Sequence, residues 1–282
     1  MNARSDLIGP AAPGAAVPAT HGRPLLELRA ATVRVPGREF GPFDLRLAAG
    51  ERVAILGPSG AGKSTLLKLM AGERSAAAGS VWLAGDALNG LPLARIARRR
   101  AVLPQSHAVA FGMAVELIVG LGRYAIEPDS QRARIVADAL VTAHAAHLVG
   151  RRFDTLSGGE QARVQLARVM AQLWDVRDAL LLVDEPLAAL DPGLQIDLLD
   201  AVTDYAGQRG HALVAIVHDI NQALVGFDRL WLVQEGCLVG DLPAGRSALP
   251  RLAELFGVEL QWVGDEQHFA VAVRRRSPAG ER

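Results

Sequence analysis

Cysteine is almost missing from this chain of 282 residues: Cys237 is the only one. No internal disulfide can form, which suits a reducing compartment. A surplus of either charge is missing too, with 30 Lys and Arg against 30 Asp and Glu. Neutralising nucleic-acid phosphates normally leaves a basic footprint, so a neutral total argues against nucleic acid as a partner. The compact basic runs, Arg98–Arg99–Arg100 and Arg274–Arg275–Arg276, read as solvated faces or tails. No uninterrupted apolar run reaches the ~18–20 residues that cross a bilayer. The longest candidates, residues 179–183 and 212–217, have the length of buried strands. Residues 1–24 lack a basic segment followed by an apolar one, so no secretory signal is expected there. Their recurring Pro and Gly predict a disordered arm. No internal repeat is present, and residues 277–282 read as a frayed tail.

What remains is globular in character, with 50% apolar and 21% charged residues, enough apolar surface for a sizeable core. Residues 25–35 alternate apolar and polar, as do residues 43–47, and both predict strands. Residues 53–56 form an apolar run that enters a Gly-rich loop, and residues 63–70 read as a helix capped by Gly72. Another short apolar run covers residues 101–103. Residues 106–173 have helical periodicity, clearest over 131–147 and 158–173. Residues 180–183 return to a buried strand. Asp191 is a good N-cap with Pro192 at the first helical position, and Leu194, Leu198, Ala201, Val202 and Tyr205 share a helical face. Residues 212–217 predict a second buried strand, 220–225 a short helix, and 230–233 with 238–239 a hairpin about Gly236. Strands alternating with helices imply a mostly parallel α/β sheet, interrupted by a separate helical subdomain.

Gly57-Pro58-Ser59-Gly60-Ala61-Gly62-Lys63-Ser64-Thr65 fits the Walker A pattern G-x-x-x-x-G-K-[ST]. A triphosphate needs many donors in a small space. Glycines let backbone N–H groups turn inward without Cβ clashes, and the following helix adds its positive end. Lys63 would reach the β- and γ-phosphates of ATP, and Ser64 would hold Mg²⁺. The strand before the loop and the helix after it are the context this motif requires.

Leu180-Leu181-Leu182-Val183 ends in Asp184 and Glu185. Strand ends of an open sheet face the ligand crevice. Asp184 there can hold Mg²⁺ through water, and Glu185 can polarise an attacking water as general base. Acids that merely begin a loop are the plainer alternative, weakened by the neighbouring phosphate loop.

Leu156-Ser157-Gly158-Gly159-Glu160-Gln161 decides the class. Locally it is a capping box, Ser157 with Glu160. That does not explain two adjacent glycines, which cost helix stability in the first turn. The segment resembles the ABC signature motif, and the resemblance to ABC transporter ATPases extends over about residues 25–263. In order, Gln105 matches the Q-loop glutamine, Ala189-Leu190-Asp191 the D-loop, and His218 the switch histidine. The resemblance implies that Ser157, Gly158, Gly159, Glu160 and Asp191 reach ATP held by a second copy. It implies that Gln105 contacts Mg²⁺ and the attacking water, and that His218 lies near the γ-phosphate.

The implied fold is a P-loop NTPase (RecA-like) core, α/β with a mostly parallel sheet, an antiparallel β subdomain and an inserted α-helical subdomain over about 106–175. The domain would span 25–265, with 266–282 as a C-terminal tail. The implied partners are a second copy in a homodimer, two copies of a transmembrane permease and, indirectly, a periplasmic haem-binding protein. The chain would sit peripherally on the cytoplasmic face of the inner membrane.

Two departures stand out. The aromatic residue that usually stacks on adenine falls at Val35, with Phe40 and Phe43 as imperfect substitutes, and Leu187-Ala188 replaces the common Thr-Ser. His144 and His147, three apart on a predicted helix, are read as a polar face rather than a metal site. Trp174 and Trp231 are read as core or interface residues.

Residues 111–123 resemble the segment after the Q-loop in ATPases of iron-chelate, haem and corrinoid importers, where it helps form the groove for the permease. The stretch 157–184 is a few residues longer than is general, and 159–174 looks most like haem-import ATPases. Phe256-Gly257-Val258 recurs across the wider group and does not choose among cargoes. Haem is the expected cargo, with ferric siderophore or corrinoid as alternatives. A soluble scaffold ATPase is a further alternative. An unrelated P-loop kinase would leave Ser157–Gln161 and His218 unexplained.

Overall fold

The computed structural model describes residues 23–104, 112–184, 192–265 and 268–275. Its centre is built from the short apolar runs. These are β3 (Arg52–Leu56), β6 (Arg100–Leu103), β7 (Leu180–Asp184), β8 (Ala212–Ile216) and β9 (Arg229–Gln234). All pair in parallel, and β10 (Cys237–Pro243) adds an antiparallel edge, giving the order β10-β9-β3-β8-β7-β6. Every residue of β7 and β8 is buried, as expected for parallel strands covered on both faces.

The alternation of side chains sends the two faces into different cores. Val53, Ile55, Leu180, Leu182, Ala212 and Val214 pack with helix α1 (Lys63–Met70) and a second sheet. That sheet is antiparallel, in the order β2-β1-β4-β5, from β1 (Leu26–Val35), β2 (Arg38–Leu47), β4 (Ala78–Leu83) and β5 (Asp86–Ala87). Ala54, Leu56, Leu181, Val183, Leu213 and Ala215 face the other way. They pack with α3 (Val115–Leu121), α4 (Arg132–Thr142), α5 (Gly158–Gln172) and α6 (Pro192–Arg209). The short α2 (Leu93–Ala97) precedes β6. The helical block therefore shares its core with one face of the sheet instead of enclosing a separate one. Buried Arg123 fastens it, bonding Asp129 at 2.7 Å, Asp175 at 2.6 Å and the Ala171 carbonyl at 3.1 Å.

The structure departs from the sequence expectations at two places. The helix expected over 131–147 ends at Thr142, because His144 takes φ +54° and turns the chain. His144 and His147 thus share no helical face; His147 lies in a separate short turn. The tail expected from residue 266 begins too early. After α8 (Leu249–Phe256), β11 (Val258–Gly264) pairs antiparallel with β12 (Phe269–Arg275), Trp262 stacking on Phe269 at 3.8 Å. Trp231 is fully buried in the core, while Trp174 is half-buried under the Arg209 guanidinium at 4.4 Å. No helix among the described residues is long and apolar enough to cross a membrane.

Candidate functional site

The site grows from strand order. β8 lies between β3 and β7, all parallel, so their C-terminal ends share one edge of the sheet. The end of β3 delivers the phosphate loop, the end of β7 delivers Asp184, and the end of β8 delivers His218. Gly57 lies so close to the Val233 carbonyl that a Cβ would sit 2.1 Å from that oxygen. Gly62 begins α1 at φ +104°, a conformation that strains residues bearing a Cβ. No side chain caps α1. A helix that starts this way leaves its first N–H groups for an anion.

Within the loop, Lys63 is 5% exposed and its Nζ donates to the carbonyls of Gly57 at 2.9 Å and Pro58 at 3.1 Å. An ammonium bridging two carbonyls at the loop mouth can exchange them for phosphate oxygens. Ala61 N–H closes the loop onto the Pro58 carbonyl at 3.2 Å, spanning Ser59 and Gly60. The Ser64 hydroxyl, one residue into α1 beside Thr65, donates to Asp184 Oδ1 at 3.1 Å. The structure thus joins two residues 120 apart in sequence that were read separately as Mg²⁺ holders. A hydroxyl beside a carboxylate is the hard-oxygen donor set that suits Mg²⁺.

His218 is exposed, just beyond β8, and Asp219 caps the following helix α7 (Ile220–Gly226). Gln105, Glu185 and Asp191 lie outside the described residues. Ser157 and Glu160 form the expected capping box at the start of α5. Ser157 Oγ accepts from Glu160 N–H at 3.3 Å, and Glu160 Oε2 accepts from Ser157 N–H at 2.8 Å. Those bonds, with Arg151 at 2.7 Å, hold the Glu160 carboxyl below its usual range. Ser157 and Gly158 are exposed and Gly159 half-exposed at this helix start, away from the chain's own core.

Neither aromatic substitute offers a ring to a base. Phe43 is fully buried. Phe40 is 7% exposed and lies against Gly62 and Gly236, where added Cβ atoms would come within 2.6 and 2.8 Å of its ring. Val35 is half-exposed at the hairpin end, opposite Arg38, whose guanidinium sits 4.9 Å from the Phe40 ring. The sequence reading also passed over Asn221 and Gln222, which tie down the helix after His218. The pattern Asp219-x-x-Gln222 was the available signal, since an acid three residues before Gln marks a helix start.

A Walker loop on a parallel sheet, with an acid closing the next-but-one strand, defines a P-loop nucleotide hydrolase. Residues 40–188 match the family model described as ABC transporter, and the chain belongs to that family. It is an ATP-binding, ATP-hydrolysing subunit of that kind. Among curated proteins it is 48% identical to "Hemin import ATP-binding protein HmuV" of Pseudomonas aeruginosa, over 69% of this chain and 76% of that one. The protein of the same name from Bordetella parapertussis is 41% identical, over 76% and 85%. That of Nocardia farcinica is 44% identical, over 73% and 71%. Among solved structures, an ABC transporter assigned to the metal-chelate type, in an inward-facing conformation, superposes with TM-score 0.74 at 24% identity, over 89% and 97%. A dimeric ATP-binding cassette bound to ADP and Pi superposes with TM-score 0.70 at 22% identity, over 78% and 99%. At those identities the structures speak for the fold.

Proposed function

We propose that this chain energises uptake of haem through a membrane permease, as the ATPase subunit of an importer. The observation that carries the cargo is the 41–48% identity to hemin import ATP-binding proteins of three genera. Ferric siderophore and corrinoid are the alternative cargoes.

The chemistry follows from the chain's own side chains. Lys63 leaves the Gly57 and Pro58 carbonyls for the β- and γ-phosphates. Mg²⁺, when bound, neutralises phosphate charge, held by Ser64 and Asp184 with Gln105 as a third contact. Glu185, next after Asp184, takes a proton from the attacking water. His218 fixes the γ-phosphate from the end of β8. Ser157, Gly158, Gly159, Glu160 and Asp191 approach the nucleotide of a second copy, so the active unit is a homodimer.

Docking on two copies of a permease, at the cytoplasmic face of the inner membrane, is supported by α3 and its end. There Leu117, Leu121 and Tyr124 are 60%, 45% and 75% exposed. Apolar side chains gathered at one surface mark an interaction site. A periplasmic haem-binding protein would deliver cargo to the permease.

The test is growth of a deletion strain on haem as sole iron source, beside siderophore and corrinoid uptake. Loss of growth on haem alone is expected. Normal growth on haem with failed siderophore or corrinoid uptake reassigns the cargo. Absence of any polytopic partner on purification from membranes would favour a scaffold role.

A further inference from the structure

The side-chain amide of Asn221 is paired with the backbone of Val271. Val271 N–H donates to Asn221 Oδ1 at 2.6 Å, and Asn221 Nδ2 donates to the Val271 carbonyl at 3.4 Å. Asn221 lies in α7, three residues after His218, and Val271 is a buried residue of β12. In the C-terminal hairpin Val271 sits opposite Trp262. An N–H given to Asn221 is not given to β11, so both polar groups of Val271 face outward from the hairpin. Asn221 therefore closes that edge as a neighbouring strand would.

This contact adds to the apolar seating of the segment, in which Ala223, Leu224 and Phe227 lie in the main core and Ile220 packs against it. α7 has seven residues, too few to hold a helix by themselves. Its start is set by polar contacts. The Asp219 carboxylate accepts from Gln222 N–H at 3.0 Å, Gln222 Nε2 reaches Gln195 of α6 at 3.2 Å, and Asn221 holds Val271. The hairpin is itself firmly seated. Val271 belongs to the main core with Leu252 and Leu255 of α8, and Leu260, Trp262 and Phe269 pack against that core.

We infer that the C-terminal hairpin braces the switch. Asn221 is a positioning residue that holds the start of α7, and with it His218, in the place needed for turnover. The inference rests on the reading of His218 as a γ-phosphate contact.

The test is steady-state ATPase kinetics and ATP binding of the purified full-length chain carrying Asn221→Ala, Val271→Pro or both, with His218→Ala alongside. Proline removes the N–H that Asn221 accepts and also the buried Val271 side chain, so a thermal melt is read beside its kcat. Each single change should lower kcat about fivefold, the loss of roughly one hydrogen bond. KM and ATP affinity should stay within about twofold, and the double variant should be no slower than the slower single, because both remove one contact. Asn221→Asp keeps the acceptor of the 2.6 Å bond and should restore most of kcat. Wild-type kcat in Asn221→Ala and Val271→Pro, beside a slow His218→Ala, overturns the brace alone. So does a fall in kcat that only follows lost melting temperature or lost ATP affinity. Wild-type turnover in His218→Ala overturns the reading of the switch and the brace with it.

Discussion

Gly158→Ala separates the two roles open to the segment 157–160. Gly158 is the first residue of α5, and a Cβ there would meet nothing within 4 Å in its own chain. Alanine is favoured over glycine by up to ~1 kcal/mol inside a helix. The substitution should therefore leave the fold unharmed or raise its melting temperature by up to about 2–4 °C. A segment that only caps a helix would show nothing more. A segment whose N–H groups receive the γ-phosphate of a second copy has no room for the methyl group. Losing one hydrogen bond to a charged group costs about 1.5–3 kcal/mol, a ten- to hundredfold fall in turnover. Gly159→Ala is less informative, because its Cβ would lie 2.3 Å from Leu194 Cδ2 and force that side chain to move. The assay is ATP turnover beside a thermal melt and ATP-dependent dimerisation by size-exclusion chromatography. Wild-type turnover and dimerisation in a stable Gly158→Ala protein would falsify the role given to the signature.

Lys63→Ala should weaken ATP affinity or turnover by ten- to hundredfold, since the ammonium supplies charge-assisted bonds of about 1.5–3 kcal/mol. Equilibrium binding and turnover at wild-type values would refute it. With Val35 at the stacking position and Phe40 buried, the stacking contribution of ~1–3 kcal/mol is absent, so GTP should compete with ATP in competition binding. A strong ATP preference would refute that. His211 is 1% exposed, its Nδ1 accepts from Ala179 N–H at 3.1 Å, and burial, then Arg209, pushes its pKa down to about 4. The folded value lies below the unfolded one near 6.5, so its contribution is whole above pH ~6.5 and fades as pH falls towards 4, by roughly 2–3 kcal/mol. Urea melts at pH 7 and pH 4.5 should show His211→Gln with a flatter pH dependence than wild type; equal slopes would contradict this.

The parts legible in the sequence were those with one local cause. Residues 180–183 and 212–217 are short, wholly apolar and bounded by turns or acids, and they are strands of the central sheet. Gly236 between two apolar runs marked the β9–β10 hairpin. The C-terminal strand was missed because Phe269, Val271 and Val273 alternate with Ala270 and Ala272, which hides the period of two. The end of α4 was missed because His144 turns the chain at φ +54° where glycine would have announced a stop. The aromatic substitutes could be placed only in three dimensions, since nothing local separates a ring offered to a base from one pressed on Gly62.

The candidate site, by contrast, depends on topology that no local pattern contains. Lys63 and Ser64 follow β3, Asp184 ends β7 and His218 follows β8, three segments far apart in sequence. They converge because β8 pairs with both others in parallel, Ile55 and Asp184 each standing opposite Ile216. Antiparallel pairing of β7 with β8 would carry Asp184 to the far edge, about five residues at ~3.3 Å each away. The Ser64–Asp184 bond across the sheet edge is the direct consequence of that register. The start of α5 obeys a different constraint. Ser157 and Gly158 stand exposed on the helical block, where Ser157 exchanges capping bonds with Glu160 and Glu160 also pairs with Arg151. A phosphate reaching those N–H groups would come from outside the chain, and for that reason dimerisation and turnover should fail together in Gly158→Ala.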